Sequence, residues 1–206
     1  MDTDAPRQPR PRTARADAGA DGNTRLTAAN AVVLLVLFAA EGFTILGVRR
    51  MLTLHVFIGM LLVPPALLKA GSTGWRFVRY YTGAPAYVRK GPPPAVLRVL
   101  GPFVVILTLV LLASGVGLLL VGPAQVPLLL KVHKVSFILW FGAMAVHVLG
   151  HFTDVTRLAP RDWLHRGRGD VAGASTRQWL IAVSLVAGAL LGVVFVGQVG
   201  PWLAAR

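Results

Sequence analysis

The sequence contains no cysteine. That excludes structural disulfides, thiolate zinc sites and iron–sulfur clusters, and it excludes haem attached through thioether bonds. Charge is scarce as well. Only 14% of the 206 residues are charged, against roughly a quarter in a soluble globular domain. Acidic residues are the rarest part of that share, eight against 21 lysines and arginines. With 55% hydrophobic residues and a mean hydropathy of +0.65, too little polar surface remains to wrap a water-soluble core. The class is integral membrane. On a soluble chain the basic excess would point to nucleic acid. Here the basic residues lie between apolar runs and read as loops facing anionic lipid, so no nucleic-acid partner is expected. No internal repeat, βαβ pattern or Gly-rich phosphate loop is evident. Ser114 and Ser136 lack the base and orienting acid that nucleophilic catalysis needs.

A bilayer core needs roughly 20 apolar residues per helix, and five stretches meet that need: about 26–48, 51–68, 99–121, 127–148 and 179–199. Lys131 and Lys134 are tolerated in the fourth because they lie at one end, where long stems reach the headgroups. The basic residues divide sixteen against five between alternate sides of these spans. Basic residues are retained in the cytoplasm, which predicts a cytoplasmic N-terminus and a multi-pass protein of the plasma membrane. Residues 1–25, poor in anything to bury, are expected to form a disordered cytoplasmic tail. Residues 26–199 form the transmembrane domain, and 200–206 a short outer tail. A cleaved signal peptide with Ala31–Ala40 as its apolar region is the rival reading. No convincing small-x-small site follows it, and the apolar run continues past Glu41. The expected fold is an all-α bundle: four helices around a site, with a fifth, peripheral helix.

Five histidines are present. His165 falls in a polar loop and reads as a solvated side chain. His55, His133, His147 and His151 lie in or at the ends of apolar helices, where ionisable groups are costly and usually functional. The second and fourth spans run in the same direction. His55 and His133 then lie at similar depth beneath the outer surface. Two imidazoles facing each other at one level in a helix bundle meet the need of bis-histidine haem ligation. Gly59, Gly115 and Gly117 leave room for a flat macrocycle there, or equally for close helix packing. Arg49, Arg50, Lys131 and Lys134 ring the same end, as partners for haem propionates or as plain interfacial anchors. His147 follows His133 by close to four turns and shares its face, which suits a second haem below the first. The residue at the matching position after His55 is Lys69, not histidine, so one haem is favoured. His147 and His151 are alternatively proton carriers or partners of a quinone head.

Axial histidines on parallel second and fourth helices, with this interval on the fourth, resemble the membrane cytochrome b superfamily. The stretch Lys131-Val132-His133-Lys134-Val135-Ser136-Phe137, running on to His147-Val148-Leu149-Gly150-His151, is similar to small membrane cytochromes. So is Gly74-Trp75-Arg76 with Tyr80-Tyr81-Thr82-Gly83 in the expected loop between spans two and three. The resemblance covers spans two to four. It implies non-covalent haem b, electron exchange with quinone or with a partner oxidoreductase on the outer face, and His55, His133 and His147 as iron ligands.

Glu41 is the only acidic residue inside an expected span and stands near the level of His55. It is a proton or quinone-site candidate, or a carboxyl hydrogen-bonded within the bundle. Trp75, Arg76, Arg79, Tyr80 and Tyr81 read as an interfacial belt. Gly188 and Gly192 predict a close helix contact, within the chain or between subunits. Two other function classes compete with the electron carrier. One is a metal or proton transporter using the same histidines, disfavoured by the near absence of carboxylates and of an inverted repeat. The other is a scaffold whose histidines only pack.

Overall fold

The computed structural model describes residues 11–91, 95–158 and 171–205. Among them stand seven helices and no strand: α1 (Pro11–Ile45), α2 (Val48–Tyr81), α3 (Pro85–Val88), α4 (Ala95–Val121), α5 (Pro127–Leu158), α6 (Ala174–Val196) and α7 (Gly200–Ala204). Single 3-10 turns occupy Pro123–Gln125 and Gly197–Val199. Five stretches of helix are long and apolar enough to cross a membrane: Asp17–Ile45, Val48–Tyr81, Ala95–Val121, Pro127–His151 and Ala174–Ala204. The all-α, five-span reading holds.

The four helices α1, α2, α4 and α5 close a ring in which each packs on its two neighbours, and α6 lies outside along α2. That leaves α2 and α5 facing each other across the diagonal. The ring has a thin core. Leu34, Ile58, Leu62 and Ala66 lock α1 to α2, while Leu107, Leu111 and Trp140, with Phe38, join α4, α5 and α1. Many other apolar side chains point outward, and Leu46, Val99, Leu128 and Leu149 are each at least three-quarters exposed. Lipid solvates such side chains as well as a protein core would, so small interhelical clusters suffice.

The helices overrun the apolar stretches. Residues 11–25, expected to be a disordered tail, are the first turns of α1; residues 1–10 lie outside the described part. Tertiary partners hold this segment where composition offers little to bury. Ala20 and Arg25 are buried, Asn23 donates to the Ser72 carbonyl at 3.0 Å, and Thr27 bonds Ser72 Oγ at 3.0 Å. Asp17 pairs with Arg89, and Asp21 with Lys90 at 2.6 Å. Likewise α2 continues to Tyr81, so Gly74-Trp75-Arg76 and Tyr80-Tyr81, expected in a loop, are helical. Similarly, α5 runs beyond Val148 to Leu158, and α6 begins at Ala174 rather than near Trp179. His165 lies outside the described residues.

Two prolines, Pro64 and Pro65, sit inside α2. Proline has no N–H, so Pro65 leaves the Leu61 carbonyl without its helical donor. Gly188 of α6 lies directly over that carbonyl: a Cβ there would stand 2.9 Å from Leu61 Cα. One turn on, a Cβ at Gly192 would meet the Phe57 ring at 2.7 Å. The glycine pair therefore serves an internal α2–α6 contact, close enough for Cα–H groups to face the freed carbonyl.

Candidate functional site

His55 projects from the first turns of α2 and His133 from the first turns of α5. Their ring centroids are 6.4 Å apart, with the planes at 86°. The two residues therefore lie at one level across the bundle diagonal, as their depth in the sequence predicted.

Each ring is held by its Nδ1, in the same way on both sides. His55 Nδ1 lies 2.9 Å from Glu41 Oε1 and 2.9 Å from Thr44 Oγ1. The Thr44 hydroxyl donates to the Glu41 carbonyl at 2.6 Å, so its oxygen faces the imidazole as an acceptor. Opposite, His133 Nδ1 lies 3.1 Å from the Leu111 carbonyl and 3.0 Å from Ser114 Oγ. Ser114 in turn donates to that same carbonyl at 2.9 Å. A carbonyl only accepts, so His133 carries its proton on Nδ1. The matching arrangement gives His55 the same tautomer, with Glu41 accepting. In both rings Nε2 is then the nitrogen with a lone pair to offer.

The spacing suits one ion between them. Metal–imidazole bonds of roughly 2.0–2.1 Å, plus roughly 1.1 Å from nitrogen to ring centre on each side, set two ligated rings roughly 6.3 Å apart. The 86° between the planes is compatible with this, because a ligated imidazole can turn about its metal–nitrogen bond. Two protein nitrogens are fewer than the three or four that hold a zinc ion. Among the described residues no group of three or more His, Asp or Glu side chains could hold a metal ion. His55 and His133 would instead suit a cofactor that brings its remaining metal donors with it. The residues fit haem in that respect.

Gly115 makes room for an imidazole, and Gly59 lies beside the Glu41 carboxylate. A Cβ at Gly115 would stand 3.2 Å from His133 Cε1, and one at Gly59 would stand 3.4 Å from Glu41 Oε1. Gly117 clears Leu129 instead. Two turns below His133, Trp140 is 5% exposed, donates from its indole to Thr108 Oγ1 at 2.8 Å and lies 4.5 Å from the Phe38 ring. This aromatic layer floors the site.

No family model, curated protein or solved structure matches the chain. The site therefore rests on its own geometry.

The other expected residues are placed as follows. Arg50 is exposed and lines a shallow groove with Met51, Phe57 and Val193 between α2 and α6, on the far side of α2 from His55. Lys134 is exposed beside His133. In the other half of the bundle the His147 and His151 ring centroids are 4.7 Å apart with their planes tilted by 58°, and His147 Nδ1 is buried without a hydrogen-bond partner. Lys69 donates to the Thr27 carbonyl at 2.7 Å, so its ammonium is engaged with α1 backbone. Glu41 is brought to His55 rather than to a separate proton site. Sequence reasoning missed Thr44, the Leu111 carbonyl and Trp140, and it dismissed Ser114. The i, i+3 pairing of Glu41 with Thr44 on one helix face was the one available signal.

Proposed function

We propose that this chain is a membrane b-type cytochrome, an electron-transfer subunit rather than a catalyst on its own, in the plasma membrane. The observation that carries this reading is the 6.4 Å spacing of the His55 and His133 rings, each tied down through Nδ1. His55 and His133 would hold one haem b. When bound, that group supplies a one-electron couple with no open iron position for small-molecule chemistry. The chain's part is to fix both imidazoles. Glu41, Thr44, Ser114 and the Leu111 carbonyl set their tautomer and orientation, as outer-shell partners of metal-bound histidine do. Quinone, or a partner oxidoreductase on the outer face, is the expected electron donor or acceptor. A second haem at His147 is not part of the proposal, because Lys69 is committed to the Thr27 carbonyl. A transporter reading needs a third ligand beside His55 and His133. Among the described residues no group of three or more His, Asp or Glu side chains could hold a metal ion.

The test is spectroscopic. Membranes carrying the overproduced chain should show reduced-minus-oxidised bands of a bis-histidine b haem. His55→Ala and His133→Ala should each abolish them, while His147→Ala leaves them. Colourless purified protein under ample haem supply would sink the reading in favour of a transporter or scaffold.

A further inference from the structure

At the end of the bundle away from the histidine pair, α1, α2 and α3 enclose a groove of about 370 Å³. Its lining includes Asn23, Trp75, Arg79 and Tyr87. Three features of it are unlike an ordinary helix end. First, α2 is 34 residues long, about 51 Å at 1.5 Å per residue, against a hydrocarbon core of roughly 30 Å. Its last turns therefore stand among headgroups, and Trp75, Tyr80, Tyr81 and Tyr87 gather where interfacial aromatics belong. Second, among the described residues two arginines here have no acidic partner. The nearby carboxylates Asp17 and Asp21 are taken by Arg89 and Lys90. Among the described residues no carboxylate pairs with Arg76 or Arg79. The Arg79 guanidinium lies 5.6 Å from the Trp75 ring centroid, a cation–π contact that steadies the planar fork while leaving its N–H edge for an anion. Third, Leu67, Gly71, Gly74 and Val78 form an exposed i, i+4, i+7, i+11 stripe of α2 that passes beside Trp75, a quarter-turn round the helix from the groove, toward the bilayer centre. A Cβ at Gly71 or Gly74 would meet nothing within 4 Å. The stripe offers an acyl chain open apolar surface beside an anion-seeking head.

We propose that this groove binds an anionic phospholipid, its phosphate on Arg79 against Trp75 and an acyl chain along the Gly71–Gly74 stripe. A basic pocket between helices at headgroup depth is suited to such a lipid, and guanidinium–phosphate hydrogen bonds are charge-assisted and directional. The site is distant from the histidine pair and does not depend on the cytochrome reading.

The experiment uses the full chain purified in mild detergent, titrated with phosphatidylglycerol or phosphatidylcholine. Retained lipid is read by native mass spectrometry, and unfolding by thermal melting. Phosphatidylglycerol should be retained and should raise Tm, since a ligand that binds only the folded state stabilises it by mass action. Arg79→Gln should weaken that retention by about tenfold or more, the scale of one charged hydrogen bond. Arg98→Gln, an exposed arginine on α4, should not. Gly71→Leu, which puts a side chain on that open surface, should weaken retention too and serves if Arg79→Gln fails to fold. Equal retention of phosphatidylcholine, or full retention by both Arg79→Gln and Gly71→Leu, would overturn the proposal. Displacement by inorganic phosphate as readily as by the lipid would overturn the assignment to lipid.

Discussion

Thr44 and Ser114 each bond a carbonyl three residues back, on α1 and α4, and each turns its oxygen toward a histidine on another helix. The acceptors differ: a carboxylate for His55, a backbone carbonyl for His133. That difference makes Glu41 the side chain whose removal is most informative. Glu41→Ala removes the charged acceptor of the His55 Nδ1–H and leaves it only the Thr44 hydroxyl oxygen, at about 1–3 kcal/mol. Loss of an outer-shell partner lowers metal affinity about 10–100-fold, so haem per polypeptide should fall steeply on washing. Glu41→Gln keeps an oxygen at the same reach and should retain haem, but it presents a weaker acceptor. His55 becomes a poorer electron donor to iron, so the midpoint potential should rise. A purely structural Glu41 would change stability and leave the potential of the retained haem where it was. The carboxyl itself was conspicuous in the sequence as the one acid in an apolar span. Its partner was not, because the rotation of α1 against α2 decides which of several polar residues it meets.

At the scale of helices, the number of spans was legible because each must supply enough apolar length to cross the bilayer. Their ends were not. Residues 11–25 are helical through Asn23, Thr27, Asp17 and Asp21 reaching α2 and the turn after α3, contacts that hydropathy cannot register. The Gly188–Gly192 pair announced a close contact without naming its partner, which is the α2 backbone at Leu61 and the Phe57 ring. Here overpacking gives a sharp contrast. Gly188→Leu must push α6 off a rigid backbone and should destabilise the chain by about 1–3 kcal/mol or more. Gly197→Leu meets nothing within 4 Å and should stay within about 0.5 kcal/mol of the parent. Thermal unfolding in one detergent measures both. If the two variants melted alike, α6 would not be seated on α2 as described.

For the whole molecule, orientation and site combine into one prediction. Of the basic residues, sixteen stand on the side of the N-terminus and five on the other, and short basic segments are held in the cytoplasm. Ion pairing of Asp17 and Asp21 with Arg89 and Lys90 does not weaken the argument, because orientation follows lysine and arginine number and not net charge. His55 lies seven residues after Val48 and His133 six after Pro127, each about 10 Å along its helix from the five-charge side. Below them the layer of Trp140, Phe38 and Phe137 closes the bundle toward the other face. On the proposed cytochrome reading, the electron-exchanging edge should therefore open outward. Alkaline phosphatase fused after Ala205 should be active, and the same enzyme inserted at Lys90 inactive. A membrane-impermeant reductant should then reduce the haem faster in right-side-out vesicles than in inverted ones. Active phosphatase at Lys90 would reverse the orientation. Equal reduction rates from both sides would mean that the aromatic layer does not separate the histidine pair from the inner face.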